Sequence, residues 1–299
     1  MLKKLIKNTQ RSLQDNVQKE GAILRKPYLY LLNFLRPVYF SNEFFLMNGF
    51  LRKSKSKQQS ILFFSVHKSA STLIKNSIIN LVGSKKIIPL KLSGYLSKTK
   101  QDKYYNDPNF MNKILLEKGY FYGAFRAFYP FPKLDKFKII LVLRDPRDVL
   151  TSFYYSTLYN HPLSSQKVFE DRNKYAVYTI DDYVLEKAND MQKIYANYCE
   201  YLLERENVLF LKYEDMIEDF ELWLHQITSF LKLENVEDQV KQIISETSFK
   251  VKKEDKHSFK RNVKAGDHLN KLKPETIASL NKLFYKELKT LGYEVVPVK

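Results

Sequence analysis

Cysteine is almost missing from this 299-residue chain: Cys199 stands alone, no intramolecular disulfide can form, and a reducing, cytoplasmic setting is the expectation. Histidine is scarce too, at five residues, and no group of His, Cys, Asp and Glu has metal-site spacing. No glycine lies between Phe50 and Gly83, which excludes the G-x-x-x-x-G-K-[ST] loop of ATP-type enzymes from that stretch. Long apolar runs are absent as well. Met1 to Lys7 lacks the apolar core of a signal peptide, and the aromatic and leucine-rich stretch from Lys26 to Leu51 is interrupted by Arg36, Pro37 and Glu43, too often to span a bilayer. There is no internal repeat and no coiled coil. Positive charge is in excess: 50 Lys and Arg against 33 Asp and Glu give a net +17, a field that draws in anions. At 44% apolar, the chain can bury a full core in one enzyme-sized domain.

The most informative stretch is Ile61-Leu-Phe-Phe-Ser-Val-His-Lys-Ser-Ala-Ser-Thr-Leu-Ile74. An apolar run reads as a buried strand, breaks at His67-Lys68, and restarts as a helix whose apolar positions are Ile74, Ile78, Leu81 and Val82. Ser69, Ala70, Ser71 and Thr72 then occupy the first turn, where unpaired backbone N–H groups and the positive dipole end favour an anion. Lys68 adds a positive charge and the Ser71 and Thr72 hydroxyls add donors. A second anchor follows the near-continuous run Phe137-Lys-Ile-Ile-Leu-Val-Leu143, which ends in Arg144-Asp-Pro-Arg-Asp-Val-Leu-Thr-Ser152. Arg144 and Lys68 thus stand at the carboxyl ends of two strands, where open α/β sheets bind ligands, and Ser152 lies two helical turns beyond Arg144.

These residues resemble the sulfotransferases that use 3′-phosphoadenosine 5′-phosphosulfate (PAPS). His67-Lys-Ser-Ala-Ser-Thr72 is similar to the family's P-K-S-G-T-T loop, and Arg144 to Ser152 is similar to its R-x-P-x-D-x-x-x-S motif. Tyr213-Glu-Asp215, Thr247-Ser-Phe249 and Phe259-Lys-Arg-Asn-Val-Lys-Ala-Gly-Asp267 resemble, in order, its Y-E-D, T-S-F and F-x-R-K-G-x-x-G-D segments. The resemblance implies a P-loop-NTPase-like sulfotransferase fold and transfer of a sulfuryl group to a hydroxyl or amine by in-line displacement. The product is 3′,5′-adenosine bisphosphate (PAP), and no metal is required. Lys68, with Ser69 to Thr72, holds the 5′-phosphosulfate; Arg144, Ser152, Arg261 and Asn262 hold the 3′-phosphate; Tyr213, Thr247, Phe249 and Phe259 take the adenine, with Leu73 as an aliphatic contact in place of a stacking ring. Charge building on the leaving phosphate oxygen makes the fixed Lys68 cation count more in the transition state than in the ground state.

Three positions depart from the pattern. Asn262-Val263 replaces the family's Lys-Gly, and Leu73 stands where cytosolic relatives often carry Trp. Where those relatives carry K-T-H, whose His is the base, this chain has Gly123-Ala-Phe-Arg-Ala-Phe-Tyr129. Arg126 can orient a charge but not abstract a proton at neutral pH. His161 is one candidate base; a carboxylate among Asp102, Asp107, Asp181 and Asp182 is another.

Strands near residues 61–66, 121–126, 137–144 and 208–213 alternate with helices, so the expected fold is α/β, a mainly parallel central sheet with helices on both faces. Val184, Ala188, Met191, Tyr195, Tyr198 and Leu202 stripe a long helix from Asp181 to Arg205. Residues 91–118 read as a lid or short helices, Lys250 to Lys273 as a loop over the nucleotide, and Lys273-Pro274-Glu275 as the start of a helix through about Leu291. The catalytic unit spans residues 60–299. Residues 1–59 form a basic extension for which two readings stand: a peripheral membrane contact, or helices packed on the core. The acceptor class, whether small molecule, glycan or lipid, is not written in these motifs, and no nucleic-acid partner is expected. A phosphotransferase would need Mg²⁺ ligands and a glycine-rich loop. A non-enzymatic basic module would spread its cations without placing two at strand ends.

Overall fold

The computed structural model describes residues 34, 37–50, 54–83, 86–96, 103–160, 166–251, 253–258 and 260–295. Five strands, β1 (Ile61–Ser65), β2 (Ile88–Leu90), β3 (Tyr120–Phe125), β4 (Lys138–Leu143) and β5 (Val208–Lys212), form one sheet in the order β2-β3-β1-β4-β5 with every pairing parallel. The chain builds leftward from β1 to β2 and β3, then crosses to β4 and β5, so the order reverses between β1 and β4. A crevice opens at such a reversal beyond the strand ends.

The helices, in chain order, are α1 (Ser41–Met47), α2 (Ser71–Val82), α3 (Leu92–Tyr95), α4 (Pro108–Ile114), α5 (Pro146–Tyr155), α6 (Gln166–Tyr175) and α7 (Ile180–Tyr201), then α8 (Tyr213–Glu218), α9 (Phe220–Phe230), α10 (Glu237–Glu246), α11 (Asp267–Lys271), α12 (Pro274–Leu283) and α13 (Tyr285–Thr290). A single π-type turn, Ser156–Asn160, extends α5. Alternate strand residues feed opposite layers. Leu62, Phe64, Ile139 and Leu141 pack with Tyr195 and Tyr198 of α7 and Leu280 of α12. Ile61, Phe63, Ile140 and Val142 pack with Ile74 and Ile78 of α2, Trp223 and Leu224 of α9 and Val240 of α10. Both faces are covered, as the continuous apolar strand runs require.

The four expected strands are present, and so is the long helix, whose striped residues are all buried. The short β2 strand was not expected. Its three residues include Pro89 and sit at the sheet edge, where a missing N–H is tolerated. The last expected helix is split in two at Phe284. Residues 91–118 hold short helices, α3 and α4 among them. At the amino-terminal side, Glu43 is buried and accepts a hydrogen bond from the Lys91 backbone N–H, tying α1 to the chain leaving β2. Most of the 1–59 extension lies outside the described residues. Among those described, no helix is long and apolar enough to cross a membrane.

Candidate active site

The loop from Ser65 to Thr72 leaves β1 buried and enters α2 without a side-chain cap. Its bend needs left-handed backbone at Lys68 (φ 63°) and Ala70 (φ 54°), a conformation that costs non-glycine residues roughly 1–2 kcal/mol each. Ser69 is fully buried beneath the bend. Its Oγ donates to the Val66 carbonyl at 2.7 Å and lies 2.7 Å from Ser65 Oγ, so this hydroxyl shapes the loop from below. Arg126 braces it from β3: Nη1 donates to Val66 O at 2.8 Å and Nη2 to Ser71 Oγ at 2.6 Å. Gly123 makes this approach possible, because at its φ of 134° a Cβ would stand 2.4 Å from the Phe63 carbonyl oxygen.

Arg144 leaves β4 almost wholly buried, stacked 4.6 Å over the Tyr213 ring. Nη1 donates to Lys68 O at 3.0 Å and Nη2 to Lys264 O at 3.2 Å; Asp148, one turn along α5, lies 3.6 Å from Nη2. Its backbone carbonyl accepts from Tyr195 Oη. Asp148 in turn accepts from the Gly266 and His268 backbone N–H groups at 2.8 and 2.9 Å and lies 2.7 Å from His268 Nδ1. The carboxylate thus ties the 260–268 segment to α5, and its pKa is lowered: burial opposes this, but the His268 hydrogen bonds and the Arg144 charge prevail. Arg261 bonds Glu254 and Asp267 and stacks 4.1 Å over Tyr155; Asn262 donates to Asp267 at 2.9 Å.

These elements converge on one cavity of about 300 Å³. From the β1 loop its wall takes Lys68, Ala70, Ser71, Thr72 and Leu73; from the strand ends and α5, Arg126, Arg144, Ser152 and Tyr213; from the late segments, Phe249, Arg261 and Asn262. Of the expected residues, Ser69 lies beneath the wall rather than on it, and Thr247 closes α10 without lining the cavity. His161, Phe259 and Asp102 lie outside the described residues. The remaining candidate carboxylates are engaged elsewhere. Asp107 caps α4, Asp181 accepts from the Lys273 N–H at 2.9 Å, and Asp182 closes a capping box with Thr179. Sequence reasoning passed over Tyr155, Ser156 and Asn160, which also line the cavity. The i, i+3, i+4 spacing of Tyr155 and Ser156 from Ser152 was the available signal.

The electrostatics are lopsided. Burial, then the Arg144, Arg261 and Arg126 charges, push the Lys68 amine down to about 8. Burial pushes Arg126 down to about 10. Arg144 moves the other way: burial opposes its charge, but Asp148, then Tyr213, Glu214 and Asp267, hold it on. Its buried Nε has no hydrogen-bond partner in the protein. Five cations and an uncapped helix start around a cavity whose described lining has no carboxylate suit a polyanion.

The sulfotransferase domain profile matches residues 127–292, more than half of the chain. The chain belongs to the sulfotransferase domain family. It is 30% identical over 146 residues to the 3-beta-hydroxysteroid sulfotransferase of the guinea pig, Cavia porcellus, covering 46% of this chain and 47% of that protein. The chain thus matches about half the length of this curated relative. A mouse sulfotransferase solved with PAP superposes with a TM-score of 0.54 at 18% identity, over 83% of this chain and 89% of that one, a likeness of fold. A retinol dehydratase solved with androsterone and PAP matches at a TM-score of 0.47 and 20% identity, over 84% of this chain and 85% of that one. In this sulfotransferase domain the one tryptophan, Trp223, is coupled to the cavity through rings: Phe249 meets Phe220 edge-on at 5.1 Å, and Phe220 stacks on Trp223 at 6.2 Å.

Proposed function

We propose that this protein transfers a sulfuryl group from PAPS to a hydroxyl on an apolar small molecule and releases PAP. The observation that carries the reading is the convergence of Lys68, Arg126, Arg144 and Arg261 on a cavity whose described lining holds no carboxylate. PAPS supplies an activated sulfuryl group on a phosphate leaving group. The unpartnered Arg144 Nε, with Ser152 and Arg261, offers the donors for the 3′-phosphate. The first turn of α2, with Ser71 and Thr72, offers those for the 5′ end, and Lys68 neutralises the oxygen that gains charge as the S–O bond breaks. Leu73 and Phe249 supply apolar contact for the base, with Tyr213 held by Arg144. The guinea-pig relative's printed substrate, a hydroxysteroid, supports a hydroxyl on an apolar frame as acceptor.

The test is a thermal-shift comparison of 3′,5′-adenosine bisphosphate with Mg-ATP, followed by transfer of labelled sulfate from PAPS to a panel of alcohols, phenols and amines. Stabilisation by the bisphosphate alone, with label appearing in an acceptor, is expected. Stabilisation by Mg-ATP alone rejects the reading.

A further inference from the structure

We propose that His67 is the general base of this transfer and that a second cavity behind it is the acceptor chamber. The inference rests on the sulfotransferase reading above. The second cavity, of about 270 Å³, shares His67 with the nucleotide cavity, and the imidazole packs on Phe153 with ring centroids 5.3 Å apart. Its walls are aromatic and aliphatic: Phe153 of α5, Val168 and Tyr175 of α6, and Tyr183, Met191 and Ile194 of α7. The charged groups that share a cavity with the ring are Lys68, Arg126, Arg144, Lys260 and Arg261 on the nucleotide side, and Asp171, Lys187 and Asp190 on the chamber side. Two acids against one lysine make the chamber unwelcoming to an anionic acceptor, despite the chain's net +17. A neutral hydroxyl compound with an apolar frame fits the walls.

Chain geometry separates the two roles. Lys68 lines the nucleotide cavity and not the chamber, whereas His67, one residue before the left-handed turn, lines both. In-line displacement needs the nucleophile on the side of sulfur opposite the leaving oxygen, so an acceptor that comes from the chamber passes the imidazole while Lys68 stays with the leaving group. The acceptor oxygen forms the new S–O bond as its proton passes to the imidazole. The old S–O bond breaks, and its electron pair leaves with PAP. Among the described residues lining the nucleotide cavity there is no carboxylate, and His67 is the one imidazole.

The experiment uses the full chain with PAPS and two probe acceptors, 2-naphthol and 4-nitrophenol, the second of which ionises near neutral pH without help. His67→Ala is expected to lower kcat with 2-naphthol by ~10²-fold or more and to remove the acid limb of the pH–rate profile. The loss with 4-nitrophenol should be much smaller, and PAP affinity should stay within about twofold, because a base acts on the acceptor alone. Ile194→Trp, which fills the chamber, should raise the 2-naphthol KM while PAP affinity holds. An unchanged acid limb, or equal losses with both phenols, overturns the base assignment; so does loss of the limb in His161→Ala instead. A wild-type protein that binds PAP but transfers to neither phenol overturns the chamber, and one that binds no PAP overturns the sulfotransferase reading itself.

Discussion

The two strand ends that face the cavity lined by Lys68 and Arg144 hold their cations in opposite ways. At the end of β4, Arg144 is buried in a lattice of Asp148, Tyr213 and backbone carbonyls, with Asp148 fixed by His268 and Gly266. At the end of β1, Lys68 sits on a left-handed turn among three arginines, and its amine is driven toward neutrality. The first charge is permanent and part of the fold; the second is conditional on its surroundings. Affinity for a fixed group suits the first arrangement, and response to charge that appears during reaction suits the second.

The largest test of that contrast removes one support from each. Asp148→Ala leaves Arg144 buried without its carboxylate and should cost about 3–5 kcal/mol of unfolding free energy. Lys68→Ala should not lower stability at neutral pH, because burial among three arginines works against the amine's charge, while lowering the transfer rate by ~10²–10³-fold, a larger loss than in PAP affinity. Chemical denaturation and single-turnover kinetics read the two. Equal destabilisation by both substitutions would erase the distinction, and equal losses of rate and PAP affinity in Lys68→Ala would remove its transition-state role.

Arg144→Ala comes next. It should remove the preference for 3′,5′-adenosine bisphosphate over adenosine 5′-phosphate, worth roughly 1.5–3 kcal/mol for a charge-assisted contact. A preference that survives would make Arg144 a structural ion-pair partner only.

The conditional charge also predicts a pH effect. The Lys68 pKa falls from its ordinary 10.5 to about 8 in the folded protein, so between those values the unfolded chain holds a proton that the folded one has lost. The contribution of Lys68 to stability therefore rises with pH through that window. Anion binding reverses the shift. PAP should bind with proton uptake above pH 8 and more weakly as pH climbs, read by calorimetry in two buffers of different ionisation enthalpy. Lys68→Arg should abolish the uptake. Uptake that persists in the variant would assign the proton elsewhere.

The smallest effect concerns the turn itself. Ala70 holds a left-handed conformation at the position where the family loop is written with glycine, so Ala70→Gly should raise stability by about 1 kcal/mol or less. A loss on that substitution would mean that the Ala70 methyl, which packs against the layer containing Ile74 and Ile78, contributes more than the turn costs.

Much of the sheet, and the two cations at its strand ends, was legible from sequence. Ile61 to Phe64 and Ile139 to Leu143 are apolar without alternation, which marks strands covered on both faces, and the first charged residues after each are Lys68 and Arg144. The β2 strand escaped because three residues with a proline carry no period. The partners that fix Asp148 escaped for another reason. His268 and Gly266 lie about 120 residues from Asp148, and no local pattern links a carboxylate to backbone N–H groups so far along the chain. The Asp107, Asp181 and Asp182 carboxylates, plausible as bases in sequence, are engaged at helix starts, a use that Ser, Thr, Asn and Asp side chains share. The second cavity could not be foreseen, since most of its walls come from three helices whose inward faces look like ordinary core.

The ring relay from Phe249 through Phe220 to Trp223 gives this molecule a built-in optical reporter. With one indole in the chain, tryptophan emission comes from a single place. That indole is 1% exposed and its N–H donates to the Lys212 carbonyl at 3.1 Å, at the end of β5 just before Tyr213. Ligand that presses on Phe249 or Tyr213 reaches the fluorophore through one intervening ring or one peptide unit, so occupancy of the cavity can be followed by steady-state emission or quenching on the unlabelled protein.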